Sequence, residues 1–497
     1  MMKVAFAEEM KRIDRLTQEK FGVCGLILME RAALAVLDVV KTRFGNFCGR
    51  KVYLCCGKGN NGGDGLALAR LLREQAAEAI VVLAFDPKLF QGLAAQNYES
   101  AVRFGVRIVR WPEVNLAEGD LIVDALLGTG AIGIPSGPVA EIIEAINLSG
   151  KPVVAIDVPS GVTVDTGQVN GAAVRAETTV TFGLLKPGLL CYPGAEYAGE
   201  VILKQVGFAR QLLEDPQLSL NVLSTPEIKA LLPKRPITAH KGTNGHLLVV
   251  GGSPGMTGAV VLASLAALRS GGGLVTAGIR PGLPFPEKPW EVLVKLWPEL
   301  QSELESANFR SIVFGPGLSM LEDGQAFLFQ LLEEAKVPMV IDADGLNLLA
   351  GKANLDRQFK QSLVFTPHPR EMSRLTGLSV AAIQADRIGV ARHFAAEWRV
   401  TIVLKGAHTV IAAPDGQTFI NPTGNPGMAT AGTGDVLAGM IGGLLAQGLE
   451  TTKAAVVGTY LHGLAGDQVA LERGTAGLIA SDLISVIPIV IKKVQLS

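Results

Sequence analysis

The chain predicts two successive α/β domains, each built on a largely parallel sheet, and three observations carry that prediction. Short Val/Ile/Leu runs alternate with helical patterns over nearly the whole length, which is how βαβ units read in sequence. The runs are continuously apolar, as strands covered on both faces are. One segment, FARQLLEDPQLSLNVLSTPEIKALLPKRPITAHKG, breaks the rhythm with proline, serine and charge. It places a boundary near residues 208–225, with domains at 1–210 and 222–493.

In the first half, KVYLCC, AIVVLAF, RIVR, DLIVDAL, PVVAIDV and TTVTFG predict strands. In the second half the corresponding runs are GHLLVVGG, LVTAGI, SIVFG, PMVIDAD, LVFTP and TIVLKG. Both halves open with a strand and a glycine loop, but no sequence repeat links them. They read as two different domains joined, not as a duplication.

Composition excludes several classes. With 48% hydrophobic and 18% charged residues, 497 residues can bury cores in two to four domains. A net charge of -1 gives no basic nucleic-acid footprint. The N-terminal MMKVAFAEEMKRIDRLTQEKF lacks the apolar core of a signal peptide. VLAGMIGGLLAQGL is too short to span a bilayer and reads as a buried helix. Five cysteines without C-x-x-C spacing fit a reduced, cytoplasmic chain without zinc.

In the first half, KVYLCC runs into Gly57-Lys58-Gly59-Asn60-Asn61-Gly62-Gly63-Asp64-Gly65 and then a helix. Gly57, Gly59 and Gly62 satisfy G-x-G-x-x-G, which lets backbone N–H groups approach a pyrophosphate in a Rossmann-like sheet. Alone, the pattern also fits an ordinary tight βα turn. Asp86 ends the next strand. DLIVDALLGTG adds Asp124 and the loop Gly128-Thr129-Gly130, and PVVAIDVPSGV adds Asp157 and Ser160. Singly, each strand-end aspartate also fits a helix cap. Three such ends in one parallel sheet converge outside the strands' carboxyl ends, where ligands bind. All six histidines lie at position 240 or beyond, so proton transfer here falls to other groups, and Asp157 is the candidate. Asn61, Asp124 and Ser160 offer hard oxygen donors suited to an alkali or alkaline-earth cation.

GNNGGDG, LLGTG, IDVPSGV and the upstream LMERAA resemble the NAD(P)H-hydrate epimerase domain, over about residues 1–207. The resemblance implies a three-layer Rossmann-like sandwich. It implies that Asn60, Asn61, Gly62, Gly63, Asp64, Gly128, Thr129, Gly130, Ala131, Ile132, Gly133, Ile134 and Asp157 contact a hydrated dinucleotide. It also implies potassium on Asn61, Asp124 and Ser160.

The second half carries Asn425-Pro426-Gly427-Met428-Ala429-Thr430-Ala431-Gly432-Thr433-Gly434-Asp435 before its buried helix. Glycines admit an anion, and the helix start offers free N–H groups and a positive dipole end. That dipole is expected to hold Asp435 ionised, as a general base for a hydroxyl attacking a phosphoryl group. A capping role for Asp435 is expected as well. LKGAHT offers Lys405 to Thr409 to a nucleotide. SLVFTPHPREMSRL puts His368 on a strand-end loop, where a merely solvent-exposed histidine also fits. The remaining histidines lack metal-ligand spacing. There is no Walker A, H-E-x-x-H or G-x-S-x-G sequence.

From about residue 225 to 493 the chain resembles ribokinase-like α/β enzymes through AGTGDVLAGMIGGLLAQG. It is most similar to their NAD(P)H-hydrate dehydratase branch, through GGSPGMTGA, FGPGL, IDADGLN, TPHPRE, LKGAHT and NPTGNPGMAT. Ser319 stands where that family often has glycine, and Pro422 where a hydroxyl residue is frequent. The resemblance implies nucleotide contacts at Lys405, Gly406, Ala407, His408, Thr409 and Gly434. It places the hydrated substrate on Ala259, Gly317, His368 and Asp435.

Together the two resemblances imply repair of hydrated NAD(P)H. The first domain would interconvert the R and S hydrates. The second would dehydrate the S-hydrate with ADP as phosphoryl donor, together with Mg2+, releasing AMP and phosphate. A cytoplasmic homo-oligomer acting on small molecules, without nucleic-acid or membrane partners, is the matching expectation. The competing expectation is a ribokinase-class small-molecule kinase with an N-terminal dinucleotide-binding module.

Overall fold

The computed structural model describes residues 2–131, 133–285, 288–303, 308–351 and 361–497. The chain divides into two compact units, Lys3–Leu218, and Ser219–Ser497 together with Met2. Among the described residues no helix is long and apolar enough to cross a membrane.

The first unit is a seven-stranded parallel sheet. Its strands are β1 (Lys51–Cys56), β2 (Glu78–Leu83), β3 (Arg107–Arg110), β4 (Leu121–Ala125), β5 (Val153–Ile156), β6 (Thr178–Phe182) and β7 (Glu200–Lys204). Their order is β3-β2-β1-β4-β5-β6-β7, so the direction of winding reverses between β1 and β4. The period-2 pleat divides β1 between two cores. Val52, Leu54 and Cys56 pack with the helices Gly25–Phe44 and Asn60–Glu74, whereas Tyr53 and Cys55 pack with Pro138–Leu148. Helices therefore cover both faces, which makes the three-layer sandwich. β7 was not foreseen; it is an edge strand with half-exposed side chains, and its apolar run, Val201-Ile202-Leu203, is only three residues long.

Ten strands of the second unit form one sheet: β8 (Leu220–Val222), β9 (His246–Val250), β10 (Leu274–Ile279), β11 (Leu293–Leu296), β12 (Ser311–Phe314), β13 (Met339–Ile341), β14 (Leu363–Phe365), β15 (Thr401–Leu404), β16 (Val410–Ala412) and β17 (Thr418–Ile420). Their order is β8-β17-β16-β15-β14-β13-β12-β9-β10-β11. Pairing is parallel from β11 to β15 but antiparallel for β15–β16 and β16–β17. That meander departs from the parallel expectation because the connections after β15 are too short to carry a crossover helix.

Leu247 and Val249 face a core shared with Thr257–Arg269, Thr433–Ala446 and the two C-terminal helices. On the opposite face Phe314 packs edge-on against Phe327, which in turn meets Trp297. The segment 436–446 is buried throughout, as a core helix should be. Its glycines allow close approach: a Cβ on Gly439 would lie 2.1 Å from the Ala263 carbonyl oxygen.

Candidate functional sites

In the first unit three strand ends meet. After β1 the chain turns so tightly that a Cβ on Gly62 would lie 1.8 Å from the Gly57 carbonyl oxygen. Glycine is required there for the turn itself. Gly62 and Gly63 are accordingly buried against protein, whereas Asn60 and Asp64 line a cavity of about 220 Å³ with Asp14, Thr129, Asp157 and Lys186. A second cavity of about 280 Å³ shares Thr129 and Lys11 with it, and adds Gly128, Gly130, Ala131 and Gly133. Ile134 is exposed beside this loop, and Ile132 lies outside the described residues. Asp86 stands apart from the cavities' lining residues; its Oδ1 accepts from Lys88 N–H and caps the turn Pro87–Leu89.

Asp157 follows β5 with φ +67°, a conformation that a non-glycine residue adopts only when its surroundings hold it there. Its N–H donates to the Val180 carbonyl oxygen at 2.8 Å. Its Oδ1 accepts from Lys186 Nζ at 2.5 Å and Thr181 Oγ1 at 2.9 Å. Lys186 is fully buried and was not foreseen, although FGLLK sets a lysine just beyond a strand end in a half without histidines. The Asp64 carboxyl makes no hydrogen bond or ion pair among the described residues. Burial first, then the charges of Asp157 and Asp14, push its carboxyl well above the ordinary carboxylate range.

Asn61, Asp124 and Ser160 come together as expected from their loops. Ser160 Oγ donates to Asp124 Oδ1 at 2.6 Å, and Ser160 N–H to Oδ2 at 2.8 Å. Leu127 N–H donates to Ser160 Oγ at 2.9 Å, while Asn61 Nδ2 donates to the Leu127 carbonyl oxygen at 2.8 Å. Asp124 is fully buried, and burial raises its carboxyl to about 6 against the hydrogen bonds that lower it. Its hydrogen bonds come from Ser160 and Leu126, and no cationic side chain pairs with it among the described residues. A buried carboxylate beside a hydroxyl and an amide, without a positive partner, fits a hard cation.

In the second unit four neighbouring strand ends supply the site. Lys405, after β15, places Nζ 2.7 Å from Asp342 Oδ1 after β13 and 3.7 Å from Glu371 Oε2. Asp342 Oδ1 also accepts from Thr366 Oγ1 at 2.6 Å, after β14. Burial opposes the charge on Lys405, but Asp342 and then Glu371 hold its ammonium above the ordinary value. His368 is the N-cap of the helix Pro369–Thr376: its Nδ1 accepts from the N–H groups of Arg370 and Glu371, each at 3.1 Å. Ala259 and Gly317 are neighbours, since a Cβ on Gly317 would lie 3.0 Å from the Ala259 Cβ. Gly434 sits beside Lys405, whose Nζ would be 3.4 Å from a Cβ built there. Asp342, Thr366 and Glu371 were missed, although IDADGLN and TPHPRE carry them.

Two expectations about Asp435 need correction. It does not cap the helix Thr433–Ala446, whose N-cap is Gly432, and its carboxylate makes no hydrogen bond among the described residues. Nor does the helix dipole dominate its charge. Burial, followed by repulsion from Asp342, raises Asp435 to about 7, with Lys405 opposing. A dipole effect of at most ~2 kcal/mol is outweighed by removal from water beside other carboxylates. Beneath the same helix start, His462 Nε2 donates to the Thr433 carbonyl oxygen at 2.9 Å; burial lowers His462 to about 4, so it is neutral.

Residues 25–188 match the family model for the YjeF-related protein N-terminus, and residues 247–489 match that for NAD(P)H-hydrate dehydratase. A bifunctional NAD(P)H-hydrate repair enzyme of Moorella thermoacetica is 40% identical, with 99% of this chain and 97% of that one aligned. Its Escherichia coli counterpart is 37% identical over 97% of this chain and 92% of that one. An ADP/ATP-dependent NAD(P)H-hydrate dehydratase from Bacillus subtilis, co-crystallised with ATP/Mg2+, is 35% identical with a TM-score of 0.50, covering 55% of this chain and 98% of that one. With two domain models matched in order and relatives aligned along nearly its whole length, the chain belongs to the family of bifunctional NAD(P)H-hydrate repair enzymes.

Proposed function

We propose that the second domain dehydrates the S-hydrate of NAD(P)H at the expense of ADP, and that the first domain interconverts the two C6 epimers to supply it. The observation that carries this reading is the Asp435 carboxylate. It is free of hydrogen bonds among the described residues and stands in the first turn of a buried, glycine-led helix beside Lys405. Hydroxide is a poor leaving group and phosphate a far better one. Asp435 takes the C6 hydroxyl proton as that oxygen attacks the terminal phosphoryl group of ADP, which enters with Mg2+. First-turn N–H groups at Thr433 and Gly434 have no intrahelical acceptor and meet the charge that develops. Phosphate then leaves, pushed by the ring nitrogen, and loss of a C5 proton restores the double bond; AMP is the other product.

Lys405 to Thr409 and Gly434 take the nucleotide, while Ala259, Gly317, His368 and Asp435 take the hydrate. In the first domain the hydrated dinucleotide lies along the 60–64 and 128–134 loops with its reactive ring by Asp157. Asn61, Asp124 and Ser160 are the residues that would hold potassium, whose charge would compensate the buried Asp124. Incubating the chain with mixed hydrate epimers and ADP or ATP tests the reading. Regenerated NADH absorbance with released phosphate is expected; a stable phosphorylated product would instead indicate a small-molecule kinase.

A further inference from the structure

The cavity of the first domain holds two carboxylates in opposite circumstances. Asp157 is gripped by Lys186 Nζ, Thr181 Oγ1 and its own fixed backbone. Lys186 also donates to Thr181 Oγ1 and the Phe182 carbonyl oxygen, each at 2.9 Å, so its ammonium is committed to this corner. Asp64 enters from a different element, the helix Asn60–Glu74 just beyond its first turn, and lines the same cavity without any such partner. Paired carboxylates whose surroundings treat them differently divide into acid and base roles.

We propose that Asp64 is the second proton-transfer residue of the first domain: it protonates the departing C6 hydroxyl, and Asp157 deprotonates the water that adds to the opposite ring face. This rests on the epimerase reading above. In the first step the O–H bond of Asp64 breaks, the C6–O bond breaks, and water leaves as the ring-nitrogen pair forms an N1=C6 iminium. In the second step a water oxygen bonds to C6, the N1=C6 pair returns to nitrogen, and the water's proton passes to Asp157. One proton has moved from Asp64 to Asp157, and exchange with the cavity's water restores both groups before the next turnover: Asp157 releases its proton to solvent and Asp64 takes one up. The protonated state that Asp64 needs at the outset agrees with its burial beside two other aspartates, which raises its carboxyl.

The full chain carrying Asp64→Asn tests the assignment. With ADP and mixed hydrates, the S-hydrate is consumed at the wild-type rate, which shows the second domain intact. Repair of the R-hydrate slows on the order of 10²-fold or more. Asp64→Glu, which keeps the acid, recovers at least about tenfold of that loss. With dehydration disabled by Asp435→Asn and H2(18)O as solvent, each inversion by an otherwise unaltered first domain places one heavy oxygen at C6. Near-normal R-hydrate repair in Asp64→Asn, equal loss in Asn and Glu variants, or inversion without heavy oxygen overturns the proposal while leaving the epimerase reading standing. A wild-type chain that exchanges no epimers overturns that reading and this role with it.

Discussion

Lys186 Nζ lies 2.5 Å from Asp157 Oδ1, and the lysine is fully buried while the aspartate faces a cavity. An ammonium in that position satisfies its donors on Asp157, Thr181 and Phe182 and fixes the carboxylate's orientation. Lys186→Met leaves Asp157 without its counter-charge. Because Asp157 reaches the cavity and its water, the loss falls at the low end for a broken buried pair, about 3 kcal/mol. Epimer exchange should fall by on the order of 10²-fold while S-hydrate dehydration is unchanged. Urea unfolding and the two partial activities check this; a stable variant with normal exchange contradicts it.

The buried Asp124 ties the first domain's stability to pH and, on the proposed reading, to potassium. Burial lifts its carboxyl in the folded chain to about 6, above the ordinary carboxylate value. The protonated form therefore contributes stability that is complete below the unfolded value and is lost as pH rises through about 6. A potassium ion held there, as proposed above, would compensate the carboxylate in that upper range. KCl should raise the first domain's melting temperature relative to tetramethylammonium chloride at about pH 7.5, and hardly at all near pH 5. Asp124→Asn should abolish the difference. An equal effect at both pH values, or in the variant, argues against a cation on this carboxylate.

These two sites also show what a sequence makes visible. Asp124, Asp157 and Asp435 were legible because each closes a strand or opens a glycine-led helix, and such positions converge in parallel sheets. Lys186, Asp342 and Glu371 were not. A lysine four residues past β6 reads like any loop lysine until the chain returns it to Asp157. The grouping of Asp342, Lys405 and Glu371 joins three segments separated by more than 30 residues at the widest gap. Strands failed differently. Continuous apolar runs announced the central strands, whereas β7 and the β16–β17 hairpin are edge or antiparallel pieces of three to five residues whose short runs do not stand out.

Ser319 stands at φ +70°, with its N–H donated to Asp344 Oδ2 at 2.8 Å. This gives a backbone reason for glycine at the position. The left-handed region costs a side chain about 1–2 kcal/mol, part of which glycine returns through its greater unfolded freedom. Ser319→Gly should stabilise the second domain by about 0.5 kcal/mol and leave the hydrate KM unchanged. A denaturant midpoint that falls would show that the serine hydroxyl contributes more than its conformation costs.

With Asp435 as the proposed base, Asp435 and Lys405 would make the dehydration pH-dependent in a defined direction. As a base Asp435 works only as carboxylate, and burial with Asp342 nearby raises it to about 7. kcat/KM for the hydrate, with nucleotide and Mg2+ saturating, should climb through about pH 7 and level above it. Lys405 opposes the rise, so Lys405→Met should move the ascending limb to higher pH rather than merely lower the plateau. Asp435→Asn removes the base and should cost on the order of 10³-fold in turnover while nucleotide still binds. A limb that stays put in Lys405→Met assigns the ionisation to another group, such as the nucleotide. Near-normal turnover in Asp435→Asn removes Asp435 from the proton transfer altogether.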